Sequence, residues 1–128
     1  MIRKGISRMS NRKFLFILII ITITMFGLFK NRFAMKDDSA LIIAIQKGAF
    51  LVDVRTPGEF ASGSVKGAIN IPLDQIPLKL SQFKGKGDIV VFCRSGSRSN
   101  QAKKFLDKSG ISNVFDGGTW QDVQSMLK

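Results

Sequence analysis

Two hydrophobic patterns divide the chain. From Phe14 to Phe29, "FLFILIIITITMFGLF" runs sixteen residues without a charge and is apolar on every side, interrupted only by Thr22, Thr24 and Gly27. As a helix it reaches roughly 24 Å at about 1.5 Å per residue, slightly short of a hydrocarbon core of about 30 Å. Flanking cations can snorkel, so the run reads as a transmembrane anchor over residues 14–29. It follows a basic segment over 1–13 and precedes a short polar linker over 30–38. A cleaved signal is the weaker reading, because Lys30, Asn31, Arg32 and Phe33 occupy the place of a small-residue cleavage site.

From Asp38 onward the pattern changes to short apolar runs alternating with helix-like segments. "SALIIAIQKG" predicts a helix capped by Ser39 and stopped at Gly48. "FLVDV" (50–54) and "DIVVF" (88–92) predict buried strands, the second with four consecutive apolar residues suited to a sheet covered on both faces. "TPGEFASG" predicts a brief helix with Pro57 at an early position, "GAINIPL" an extended piece, and "LDQIPLKLSQF" a short helix broken or started by Pro77. "SNQAKKFLDKSG" has Ala102, Phe105 and Leu106 at helical spacing, "SNVFDGG" reads as strand and turn, and "TWQDVQSMLK" as a final helix. The fold class is therefore α/β: a small parallel sheet flanked by helices on both faces, over residues 39–128, preceded by the transmembrane helix.

Charge adds to the first pattern and subtracts from a tempting alternative. The net charge is +11, but residues 1–36 hold eight Lys/Arg and no acid, leaving twelve Lys/Arg against nine Asp/Glu beyond them. The excess is a property of the tail, beside an apolar run, and suits anionic lipid rather than nucleic acid. Five cations before the run against three after it place the N-terminus in the cytoplasm and the domain in a periplasmic or extracytoplasmic space.

The candidate chemistry lies in "VVFCRSGSRSN" (90–100), which holds the only cysteine of a chain with no histidine. Common zinc ligand sets and Cys-His pairs are thereby excluded. Cys93 ends a predicted strand, where ligands collect in parallel sheets. Ser95, Gly96, Ser97 and Ser99 are small enough to turn backbone N–H groups inward, a helix from about Arg98 adds its positive end, and Arg94 and Arg98 add charge. This setting lowers a thiol from about 8.5 to between roughly 3.5 and 7.5. The alternative is a buried core cysteine, which leaves the cationic loop unexplained.

A thiolate in an anion-binding loop suits attack on sulfur or on phosphorus. Cys93-Arg94-Ser95-Gly96-Ser97-Arg98-Ser99 resembles the active-site loop of rhodanese-type sulfurtransferases, with four residues between cysteine and arginine; phosphatases on related folds have five. "LVDVRTPGEF", "GSVKGAINIP" and "VFDGGTW" resemble further family segments in family order, with Ser64 replacing a histidine often found in the second.

The resemblance implies that Cys93 takes a sulfane sulfur from thiosulfate or a similar donor as a persulfide. A small thiol, a protein thiol or cyanide then accepts it. The resemblance implies no metal or organic cofactor, because the sulfur would ride on the cysteine itself. Arg94, Ser95, Gly96, Ser97 and Arg98 would bind the substrate, with support from Asp53, Arg55 and Ser99. Other readings stay open. Asp53 paired with Arg55, or Glu59 with Arg55, would equally hold a turn; Arg94 and Arg98 would equally form surface pairs; and Trp120, Gly117 and Gly118 suit packing and backbone geometry. For the whole protein, the alternatives are a phosphatase or arsenate reductase on the same fold, or a non-catalytic interaction module.

Overall fold

The computed structural model describes residues 10–32 and 38–128. The chain divides into two units, residues 1–37 and 38–128. Among the described residues of the first lies the helix α1 (Asn11–Arg32). Thr22 Oγ1 donates to the carbonyl of Ile19 at 2.8 Å, and Thr24 Oγ1 to that of Ile20 at 3.0 Å, so the hydroxyls are satisfied within the helix itself. Among the described residues no helix is long and apolar enough to cross a membrane. This overturns the transmembrane reading of residues 14–29, and with it the single-pass anchor, the membrane as partner and the extracytoplasmic domain. The physical reason is length: the uncharged run spans roughly 24 Å of a hydrocarbon layer of about 30 Å. The helix is extended before it by Asn11, Arg12 and Lys13 rather than by apolar residues. Most of the basic segment (1–9) and of the linker (33–37) lies outside the described residues.

The second unit is an α/β domain, as its alternating pattern predicts. Four parallel strands, β1 (Phe50–Asp53), β2 (Ile69–Asn70), β3 (Ile89–Cys93) and β4 (Val114–Thr119), lie in the order β2-β1-β3-β4. Helices α2 (Ser39–Gln46), α3 (Pro57–Ala61), α4 (Ser97–Lys108) and α5 (Trp120–Met126) join them, with a 3-10 stretch over Leu73–Gln82.

Apolar runs form the central strands because both faces are covered. Along β3, Ile89, Val91 and Cys93 enter one cluster with Ala102 and Leu106 of α4 and with Ile76 and Phe83. Val90 and Phe92 enter the other, with Leu41 and Ile45 of α2 and Val123 of α5. This period-two split turns one hydrophobic string into two cores.

Small differences from the sequence expectation have local causes. Asp38, not Ser39, occupies the cap of α2. Pro77 lies inside the 3-10 stretch, which kinks at Lys79; a proline withholds an amide and keeps the segment from closing into a regular α-helix. β2 is reduced to two residues.

The register of β3 with β4 contains an irregularity: Val91 faces Asp116, whereas Cys93 faces Thr119. Two steps along one strand are matched by three along the other, which is a bulge at Gly117 and Gly118. Gly118 has φ +73°. Gly117 is required by packing, since a Cβ there would lie 2.6 Å from Val123 Cγ2 and 3.0 Å from Val90 Cγ1. Gly117→Ala is expected to destabilise the domain by about 1–3 kcal/mol through overpacking, read as a lower urea midpoint. An unchanged midpoint would mean that α5 yields freely.

Candidate active site

The strand order sets the location. From β1 the chain moves outward to β2, then returns to β3 on the other side of β1 and moves outward to β4. The crevice beyond the carboxyl ends of β1 and β3 is therefore the switch point at which open parallel sheets bind ligands. Cys93 closes β3 there, and Asp53 closes β1.

Cys93 is fully buried, its side chain set against the α4 cluster on one face. The loop that follows is polar. Gly96 has φ +92° and caps α4, which starts at Ser97, one residue before the sequence expectation. A Cβ on Gly96 would stand 3.7 Å from the Gly118 Cα, so the cysteine loop lies close beside the bulge. In this conformation the Gly96 N–H donates to Cys93 Sγ at 3.0 Å. Ser99 Oγ lies 3.6 Å from Sγ and donates to the Gly96 carbonyl at 3.0 Å. Burial pushes the thiol up, but the backbone N–H and hydroxyl of Ser99, with the amides of Ser95 and Gly96, outweigh it and bring Cys93 below its ordinary value. The sulfur is buried and cradled at once.

The five residues placed in the substrate loop by sequence stand together after Cys93. Arg94, Ser95 and Ser97 are exposed, while Gly96 and Arg98 are partly buried. Arg98 is already engaged: its Nη1 and Nη2 donate to Glu59 Oε1 and Oε2 at 2.7 and 3.0 Å. Glu59 is also the third residue of α3, where it forms a capping box with Thr56. Its carboxyl is held at about 2, below the ordinary 4.5, first by the Arg98 hydrogen bonds; burial opposes, and the amide and hydroxyl of Thr56 assist.

A depressed acid stabilises the fold above its unfolded value and loses that contribution as pH falls through its folded one. Stability is therefore expected to decline from pH 4.5 towards about 2 partly through Glu59, and Glu59→Gln should flatten that limb in a denaturation series. An equal acid slope in both proteins would refute this assignment.

Asp53 and Arg55 form a second, buried pair. Arg55 Nη2 donates to Asp53 Oδ2 at 2.7 Å, Arg55 Nε to both carboxylate oxygens at 3.0 Å, and the Arg55 amide to Oδ1 at 2.9 Å. Arg55 thus pairs with Asp53, and Glu59 goes to Arg98 instead. Ser64 Oγ donates to Asp53 Oδ2 at 2.6 Å, and Arg55 Nη2 reaches the Gly63 carbonyl at 2.6 Å. The Arg55 guanidinium stands 5.2 Å from the Trp120 ring centroid, and Trp120 packs on the second core. These links tie the end of β1 to the 63–64 turn and to the start of α5.

Sequence reasoning missed Ser64 as a partner of Asp53. It also missed Asn70, whose side-chain amide donates to the carbonyls of Asp53 and Arg55, both at 2.9 Å. Spacing carries no signal for either contact. The Thr56-x-x-Glu59 spacing is a capping signal that the sequence reading left unused, and nothing local marks the arginine thirty-nine residues later.

Comparison with known proteins agrees with this geometry. The rhodanese-like domain family matches residues 37–119. The chain belongs to the rhodanese-like family. Among the relatives of this rhodanese-like chain is a sulfurtransferase of Allochromatium vinosum, 38% identical over 74 residues, covering 58% of this chain and 69% of the relative. The thiosulfate sulfurtransferase PspE of Escherichia coli is 36% identical over 74 residues, 56% of this chain and 71% of the relative. In structure, a rhodanese with anions from Escherichia coli matches with a TM-score of 0.53 and 32% identity, over 57% of this chain and 88% of that one. The family is one of sulfurtransferases, and the likeness supports a rhodanese-type transferase.

Proposed function

We propose that the domain transfers a sulfane sulfur from thiosulfate or a similar anion to a thiol through a persulfide on Cys93. The observation that carries the proposal is the Cys93 sulfur held by the Gly96 amide at the start of α4, in a loop bearing Arg94 and Arg98. Its lowered pKa makes a larger share thiolate at neutral pH.

The thiolate attacks the outer sulfur of thiosulfate. The S–S bond breaks and sulfite leaves with the electron pair. A thiolate acceptor then attacks the terminal sulfur of the persulfide, and Cys93 regains its thiolate. Negative charge is conserved at each step, so no general acid is required, consistent with a chain that has no histidine. The amides of Ser95, Gly96 and Ser99 stabilise both the resting thiolate and the persulfide anion. Arg94 and Ser97, exposed at the loop, meet the donor, with Ser95. Asp53 and Arg55 position the turn at the end of β1 and do not touch substrate. The residues 39–128 form the unit that performs this chemistry.

Intact mass of the full chain after incubation with thiosulfate tests the proposal. Gain of one sulfur atom, reversed by a thiol, is expected. No gain, with phosphate released from an aryl phosphate instead, would replace it with a phosphatase reading.

A further inference from the structure

Three hydrogen bonds close a ring around the sulfur. The Cys93 thiol donates to Ser99 Oγ at 3.6 Å, the Ser99 hydroxyl donates to the Gly96 carbonyl at 3.0 Å, and the Gly96 N–H donates back to Sγ at 3.0 Å. Ser99 lies fully buried in the first turn of α4, so its hydroxyl is shielded from bulk water. The Gly96 carbonyl has a second donor, the Asn100 N–H at 3.1 Å. It therefore stays satisfied when the hydroxyl turns away from it.

The ring in this form suits a protonated thiol. Once the sulfur loses its proton, the hydroxyl faces an anion on one side and a neutral, already satisfied carbonyl on the other. A hydrogen bond to a charged acceptor is about twice as strong as one to a neutral acceptor, so the hydroxyl turns to the thiolate. Of the charged groups at this end of the sheet, Asp53 pairs with Arg55, Glu59 with Arg98, Arg94 is exposed, and Asp116 accepts from the Gly118 amide. Arg98 adds an attraction to the thiolate through space, while the bonds to the sulfur come from Gly96 and Ser99.

Sulfur transfer alternates the charge on Sγ. It is anionic before attack on the donor and neutral in the persulfide. It becomes anionic again when the acceptor thiolate takes the outer sulfur, the S–S bond breaks and Sγ departs with the electron pair. A more stable thiolate is a weaker nucleophile and a faster leaving group. We propose that the Ser99 hydroxyl is a switchable donor that makes Cys93 a better leaving group in sulfur release while tempering it as the nucleophile in sulfur uptake. This rests on the sulfur-transfer reading, but the turning of the hydroxyl to the thiolate does not. Ser99 touches the reacting atom and is a catalytic residue, and its proton stays on oxygen throughout.

The test compares wild type with Ser99→Ala in the full chain. Alanine suits a helix and the Gly96 carbonyl keeps Asn100, so the fold is expected to hold. The pH midpoint of Cys93 alkylation by iodoacetamide should rise by about one to two units, the worth of one hydrogen bond to a charged group. At a pH above both midpoints, single-turnover sulfur uptake from thiosulfate, read by intact mass, should speed up by roughly threefold per unit of that rise. Release of the same sulfur to 2-mercaptoethanol should slow, so the ratio of the two rates moves by at least about threefold. Ser99→Thr, which keeps a hydroxyl, and Ser99→Val, which has a similar shape without one, repeat the comparison should Ser99→Ala fold poorly; the first should behave as wild type and the second should show the shifts.

An unchanged alkylation midpoint in the variants without the hydroxyl, or uptake and release slowed by the same factor, would overturn the proposal, because a merely structural serine disturbs both half-reactions alike. If wild type gains no sulfur from thiosulfate, the transfer reading fails, while the alkylation midpoints still decide whether the Ser99 hydroxyl serves the thiolate.

Discussion

Cys93→Ser is expected to abolish sulfur uptake from thiosulfate and turnover with a thiol acceptor, by at least about a thousandfold, because removal of a nucleophile leaves only what binding contributes. Serine retains the acceptor for the Gly96 N–H, now made at 3.0 Å to sulfur, so the loop has reason to keep its shape. It does not retain the chemistry. A hydroxyl is not ionised near neutral pH by a few amides, and it forms no persulfide. The comparison requires intact mass and steady-state sulfur transfer on both proteins, with circular dichroism to show that the variant is folded. Cys93 packs in a fully buried apolar cluster, so a modest loss of stability is anticipated. Residual sulfur gain in a folded Cys93→Ser chain would remove the thiol from the mechanism.

The largest effect on stability is expected from Asp53→Ala. Asp53 is fully buried and Arg55 is 5% exposed, and the carboxylate accepts from the Arg55 side chain, the Arg55 amide and Ser64. Deleting it leaves a guanidinium buried without its counterion and two further donors without an acceptor, a change that costs about 3–5 kcal/mol. That is a large part of the 5–15 kcal/mol typical of a whole domain. Chemical denaturation would show the midpoint falling accordingly. Asp53→Asn, which keeps an acceptor but not the charge, should lie between the two. If Asp53→Ala unfolds at the wild-type midpoint, the pair is not structural and its residues would have to be reconsidered as part of the site.

Much of the domain was legible because its signals are local. Apolar strings such as Ile89–Phe92 can be buried on both faces only in a covered sheet, and the turn residues between them set the alternation of strand and helix. The cysteine loop was legible for the same reason: its glycine, serines and arginines are consecutive. What escaped was contact across the chain. Arg98 read as an anion-binding cation or as half of a surface pair with no partner named, and the structure pairs it with Glu59; Arg55 had two candidate acids, and only a folded chain brings Asp53 to it. Ser64 was read only as a replacement for a histidine, yet its hydroxyl is a donor to Asp53. The membrane-spanning expectation failed at a different point, where snorkelling cations were counted on to make up a length of apolar helix that the run does not have.

The bulge opposite Val91 and Cys93 fixes how many residues this segment can hold. Because three steps of β4 are matched to two of β3 here, removing one residue between Asp116 and Thr119 would close the bulge and draw the start of α5 one position back along β3. Trp120 would swing away from Arg55, and Val123 would leave the space beside Gly117. Homologous chains of the same design are therefore free to vary in sequence here more readily than in residue number, and loop grafts that respect composition but not count should misplace the last helix.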